Sequence, residues 1–242
     1  MARTFHAIAA LLFIGSAAVT ITWCGSMAQM AGMDMPGGWT MSMTWMRMPG
    51  QSWSGAMAAF LGMWAVMMPG MMLPAIAPLL RDHRLAMGTR VAAAYFAVWI
   101  LLGAMVYPLG LALAELEMRV NALARAVPAL AGAALCIAGI LQLSTWKARQ
   151  LDCCRSRRPG PSTTPAAAWR HGLALGLRCC ACCAPLTAAL LVAGVMDLGA
   201  MAAATAAISL ERLAPRGRTF ARLSGALLLG AGLTILVLVE LE

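Results

Sequence analysis

Four cysteines fall within five positions of this sequence, at Cys179, Cys180, Cys182 and Cys183, and Arg178 immediately precedes them. On an α-helix Cys179 and Cys183 share a face at i,i+4 and Cys182 lies beside them at i,i+3, while Cys180 points elsewhere. Pro185 lacks an N–H and its ring crowds the carbonyl of Ala181, so the helix is expected to open or kink at the thiols. Three converging thiols beside a broken helix suit a soft-metal site or a reactive-thiol site. Arg178 would then favour the thiolate form of its neighbours and balance their charge. The plainer reading treats each Cys as a small hydrophobe in an apolar helix, with Arg178 snorkelling to the surface.

Methionine supplies a second set of soft donors. Met63, Met67 and Met71 form an i,i+4 stripe, Met68 and Met72 form the adjoining one, and Pro69 and Pro74 interrupt both. A stripe of this kind is good packing material. The prolines free backbone carbonyls, however, and broken apolar helices usually line a cavity or a site. Met67, Met71 and Met72 are therefore candidate thioether ligands or lining. A third stretch, 25–54, carries Met27, Met30, Met33, Met35, Met41, Met43, Met46 and Met48 with Asp34 and Trp45 among them. Met-x-Met spacing resembles copper-binding segments outside the cytoplasm, where thioethers bind Cu(I) and thiols would oxidise. Read plainly, the same stretch is an interfacial loop filled with adaptable apolar side chains.

These groups need helices to hold them. The chain has 242 residues, of which 62% are hydrophobic and only 11% charged, against about 25% charged in soluble domains. Its mean hydropathy of +0.79 points the same way. The expected fold is an all-α, polytopic transmembrane bundle, because helices satisfy their own backbone polar groups in lipid. Apolar segments are expected near 5–23, 56–80, 91–114, 126–146 and 223–239, with a mixed-charge loop at 115–125 and a basic loop at 147–170. The stretch 171–210 has 40 residues, which as one helix would run about 60 Å, twice the bilayer core. It should be a hairpin turning at Gly194-Val195-Met196-Asp197, giving seven segments, or six if 171–210 is one long or reentrant helix. Ser26-Met27-Ala28 resembles a signal-peptide cleavage site. Cleaved or not, the next loop lies outside.

Charge tests the count. Seven segments put fourteen of the eighteen Lys and Arg on one side and three on the other, with Arg178 inside a segment. The positive-inside rule favours that split and puts 147–170 and 212–222 in the cytoplasm, with 25–54 outside. The net charge of +9 then needs no nucleic-acid partner. The eight cysteines cluster too tightly for an extracellular disulfide framework. Cys136 stands alone, and Cys153-Cys154 in the basic loop are either transfer thiols or reduced surface thiols. No nucleotide loop, Ser-His-Asp set or paired acids at catalytic spacing is visible, which argues against an enzyme.

Trp64-x-x-Met67-x-x-Gly70-Met71-Met72-x-Pro74, Tyr95-x-x-x-Trp99, Lys147 to Arg155, Cys179-x-x-Cys182-Cys183, Gly194 to Asp197 and Glu211 with Pro215-Arg216-Gly217 form a set. The set resembles a bacterial family of predicted metal-binding integral membrane proteins, a domain of unknown function. Here Gln150 stands at the first cysteine of that family's Cys-Leu-x-x-Cys-Arg loop, Ala184 stands for a Trp and Asp197 for an Asn; the membrane thiols are intact. The resemblance implies a multi-pass protein of the bacterial inner membrane that binds a metal. With the residues above, it suggests a protein that handles or delivers Cu(I), using Cys179, Cys182 and Cys183 as thiolate ligands and Met67, Met71 and Met72 as thioethers. The expected partners are the bilayer and a metal-donor or acceptor protein, or a larger membrane complex. A membrane thiol–disulfide redox protein and an accessory or assembly subunit are the alternatives.

Overall fold

The computed structural model describes residues 2–28, 32–46, 50–80, 85–156 and 164–241. Arg81-Asp82-His83-Arg84, Met30, Arg47, Met48, Arg157, Arg158 and most of the Pro/Ser/Thr run at 159–165 lie outside them. Among the described residues the chain forms eight α-helices and one short hairpin. In order these are α1 (Ala2–Ala28), β1 (Met33–Met35), β2 (Trp39–Met41), α2 (Trp53–Leu80), α3 (Leu85–Arg119), α4 (Asn121–Leu143), α5 (Thr145–Ser156), α6 (Pro165–Ala193), α7 (Leu198–Leu213) and α8 (Gly217–Leu241). Six of them (α1, α2, α3, α4, α6 and α8) are long and apolar enough to cross a membrane, as fits a multi-pass membrane protein. Large apolar side chains such as Leu101, Met105 and Leu109 on α3 and Leu227 on α8 point outward. In water that surface would be a liability; facing lipid it costs nothing.

The hairpin expected at 171–210 is present. α6 ends at Gly194, whose φ of +110° suits glycine alone. Asp197 then caps α7, its carboxylate accepting from the Ala200 N–H at 2.6 Å. The returning arm has 16 residues, about 24 Å of helix, and so falls short of a full span. Two expected loops turn out helical. Only Val120 separates α3 from α4, so 115–125 is a helix joint. Within 147–170, α5 forms because the Ser144 hydroxyl accepts from the Lys147 N–H, at 3.2 Å. The described residues 32–46 fold as well: β1 and β2 pair antiparallel, Met35 and Met41 are buried against Ala114 and Ala124, and the Trp39 indole donates to the Ala124 carbonyl at 2.8 Å.

Glycine lets the helices approach. A Cβ on Gly139 of α4 would lie 2.7 Å from the Leu229 nitrogen of α8, and one on Gly232 would lie 2.6 Å from the Gly132 carbonyl oxygen. Gly172 and Gly176 do the same between α6 and α3, four residues apart as in small-xxx-small membrane contacts. Ser16 of α1 enters the backbone ladder of α2: its hydroxyl accepts from Gly70 N–H at 2.9 Å and donates to the Val66 carbonyl, replacing an i→i−4 bond beside Pro69.

The alternating helix directions give the bundle two ends. One holds the β-hairpin, the α3–α4 joint and the Gly194 turn, where the Cys24 thiol meets Met196 sulfur at 3.8 Å. The other holds α5, the end of α7 and the start of α8. There the Arg155 guanidinium donates to the Glu211 carbonyl at 2.7 Å, and Arg218 pairs with Asp152, holding that carboxyl below the usual carboxylate range. Residues 211–218 thus share an end with α5, as the hairpin requires. Cysteines introduced one at a time at Asp34 and Arg216, both exposed, into a Cys-free background should react with an impermeant reagent from opposite sides of the membrane. Reaction of both from one side would contradict this arrangement.

Candidate functional site

Cys179 is fully buried, and three helices meet at its sulfur. The Tyr95 hydroxyl of α3 donates to it at 3.0 Å, the Arg212 guanidinium of α7 donates at 2.9 Å, and the Cys183 sulfur lies 3.8 Å away, one turn along α6. Tyr95 reaches it because α3 runs so close to α6. The Tyr95 carbonyl is 3.1 Å from where a Cβ on Gly176 would sit. Arg212 reaches it because α7 folds back from the Gly194 turn along α6.

Cys182 faces another way. It packs with Leu151, Cys154 and Ala221 in a small buried cluster of its own. The Cys154 thiol also donates to the Arg178 carbonyl at 3.6 Å. The four cysteines therefore form a row around α6: Cys154 packs on Cys182, Cys182 is followed in the chain by Cys183, and Cys183 faces Cys179. Among the described residues no three His, Cys, Asp or Glu groups gather into a cage that could hold a metal. The expected convergence of Cys179, Cys182 and Cys183 on one point is thus replaced by a pair, Cys179 and Cys183, with Cys182 as the link to Cys154. Cys180 is only half-buried, as its helical phase implies.

Met67, Met71 and Met72 are all buried, in the same apolar cluster as Cys179, Cys183, Tyr95 and Trp99. α2 runs unbroken through Pro69, Pro74 and Pro78, and α6 runs unbroken through Pro185. The Lys147 ammonium donates to the Cys182 carbonyl at 2.6 Å. The same ammonium pairs with the Glu211 carboxylate at 2.7 Å, with 1% and 2% of the two side chains exposed. Gln142 and Ser224 donate to the other oxygen of that carboxylate. Glu211 is thus committed to Lys147, and its neighbour Arg212 has no carboxylate partner among the described residues. Arg212 donates through Nη1 to Cys179, while Nη2 is buried without a partner.

The sequence assigned the thiol-side cation to Arg178, the nearest in chain order. The structure gives that contact to Arg212, thirty-four residues later, and leaves Arg178 half-buried. Tyr95, Lys147 and Glu211 belonged to the recognisable motif set, but nothing in their spacing gave them a role. Their common feature is a polar group in or beside an apolar segment, which in a membrane bundle needs a partner. The arrangement offers a sulfur-only, water-excluded pair beside a fixed positive charge.

The chain belongs to the family described as PpoB2, copper chaperone, whose model matches residues 61–235. The matched region includes the cysteine row, the α2 methionines, Tyr95, Lys147, Glu211 and Arg212, and it excludes α1 and the β-hairpin. What the match shows is a copper-related family, and it carries nothing of the membrane half of the resemblance. No curated protein and no solved structure matches the chain.

The Lys147–Glu211 pair should behave as a buried ion pair that fixes α5 and α7 on the thiol helix. Lys147→Met or Glu211→Gln alone should each cost about 3–5 kcal/mol, because each leaves the other charge uncompensated. The double variant should be more stable than either single. Unfolding of the detergent-solubilised chain measures all three, and singles within about 0.5 kcal/mol of wild type would contradict the pairing.

Proposed function

We propose that this member of the PpoB2 family carries Cu(I) as a transient cargo inside a membrane-embedded bundle, held by the thiolates of Cys179 and Cys183. Cys182 is next in the row, and the thioethers of Met67, Met71 and Met72 complete or line the soft surroundings. The observation that carries this reading is the Cys179 sulfur, paired with Cys183 in a methionine-rich core and touched by Arg212. Thiolate and thioether donors select Cu(I), while carboxylate-bound ions such as Mg²⁺ or Ca²⁺ find no carboxylate beside this pair among the described residues. Charge supports the same ion. Two thiolates around Cu(I) carry one net negative charge, the counterpart of the Arg212 guanidinium. Around a divalent ion the same two thiolates would be neutral and leave that buried cation unbalanced.

The positive-inside rule gives the orientation: the basic end bearing α5 and 212–222 faces the cytoplasm of a bacterial inner membrane. The Met-rich stretch 25–54 then faces out, where copper is captured or released. The role is handling or delivery, with a donor or acceptor protein on at least one side.

Metal analysis of the purified chain under reducing conditions tests the reading. Wild type should bind about one Cu(I) per chain through its soft donors. Cys179→Ser with Cys183→Ser should lose it, since Ser is a hard ligand of similar size. Met67→Leu with Met71→Leu should fold, at a cost under about 1.5 kcal/mol, yet bind Cu(I) more weakly. Met57→Leu with Met105→Leu is the matched control and should change neither. Unchanged copper content in the cysteine double would contradict the proposal.

A further inference from the structure

We infer that Cys154 and Cys182 form a relay station for Cu(I), a two-sulfur stepping site between α5 and the Cys179–Cys183 pair on another face of α6. The inference rests on the function proposed above. Three observations carry it. First, the buried cysteines follow one another in the order Cys154, Cys182, Cys183, Cys179: Cys154 packs on Cys182, Cys182 and Cys183 are successive residues of α6, and the Cys183 and Cys179 sulfurs lie 3.8 Å apart. Second, Cys154 lies on α5, a helix outside the six apolar ones, so the row begins at the end of the bundle rather than in its middle. Third, three polar links hold α5 in place. Lys147 ties it to the Cys182 carbonyl, Arg155 to the Glu211 carbonyl, and Asp152 to Arg218. These links fix Cys154 against α6 independently of any contact between the thiols themselves.

A row of this kind suits movement better than storage. Two sulfurs satisfy Cu(I) poorly enough that a third approaching thiol can displace one of them. At each step one Cu–S bond forms as another breaks, and copper remains Cu(I). The proton displaced from the entering thiol passes to the sulfur left behind, so no electron donor or acceptor is needed. The Arg212 guanidinium, which donates to Cys179, gives the far end of the row its fixed positive charge. Cys153, the adjacent cysteine, is half-buried and takes no part in the row, which makes it an internal control.

The test uses the full chain in detergent, loaded anaerobically with Cu(I) and chased with the chelator bathocuproine disulfonate. Cys154→Ser should bind as much copper as wild type at equilibrium but release it roughly tenfold more slowly, the scale on which groups just beyond a metal's ligands act. Cys154→Met, which restores a soft donor, should recover part of the rate, and Cys153→Ser should match wild type. A wild-type release rate in Cys154→Ser overturns the relay. So does loss of bound copper in that variant, since Cys154 would then be a holding ligand. Should Cys154→Ser not fold, Cys182→Ser reads the same step, and a wild-type rate there overturns the relay equally. A wild-type chain that takes up no Cu(I) fails before any chase begins and overturns the holding site along with the relay.

Discussion

A guanidinium pressed against a sulfur in the interior of an apolar bundle is expensive unless something negative answers it. Arg212 is in that position, 2.9 Å from Cys179, with its carboxylate neighbour already spent on Lys147. Much of the rest of the structure serves this contact. The Gly194 turn folds α7 back so that its last turn reaches α6. The Gly172 and Gly176 contacts draw α3 in until Tyr95 completes the group. The Lys147–Glu211 pair holds the neighbouring positive charge neutral, so that Arg212 has the sulfur as its partner.

The two ends of the molecule differ in chemistry. One is rich in thioethers, with Met35 and Met41 buried beneath the hairpin and Met33 exposed. The packing of Met35 and Met41 makes the hairpin a folded cap rather than a loose arm. The other end is basic and bears α5, where the thiol row starts. Between them the α2 methionines share a core with Cys179 and Cys183. This interior is lined by sulfur and aromatic side chains, and the nearby Glu211 carboxylate is engaged in an ion pair.

Periodicity and length carried most of the fold, because lipid allows few alternatives: helix order, the hairpin at 194–197 and the approximate spans were all legible. The two helical loops were not, since α5 and the joint at Val120 are polar or mixed in charge and look like connections by composition alone. At the site, the i,i+4 relation of Cys179 and Cys183 could be read directly from the chain. The divergence of Cys182 could not, because which face of α6 meets α5 depends on tertiary packing. Arg212 was hidden for the same reason. It belongs to a basic run that topology alone explained, and only the back-folding of α7 brings it to a thiol. Cys154 is legible in the chain only as a transfer thiol or a reduced surface thiol, and its position on α5 is what puts it beside Cys182.

The central claim is that copper bound to this chain sees only sulfur. X-ray absorption at the copper edge, recorded on Cu(I)-loaded protein under reducing conditions, tests it directly. The account predicts a first shell of sulfur alone, lost when Cys179 and Cys183 are replaced together. A shell dominated by nitrogen or oxygen, or a sulfur shell that survives that replacement, would contradict it.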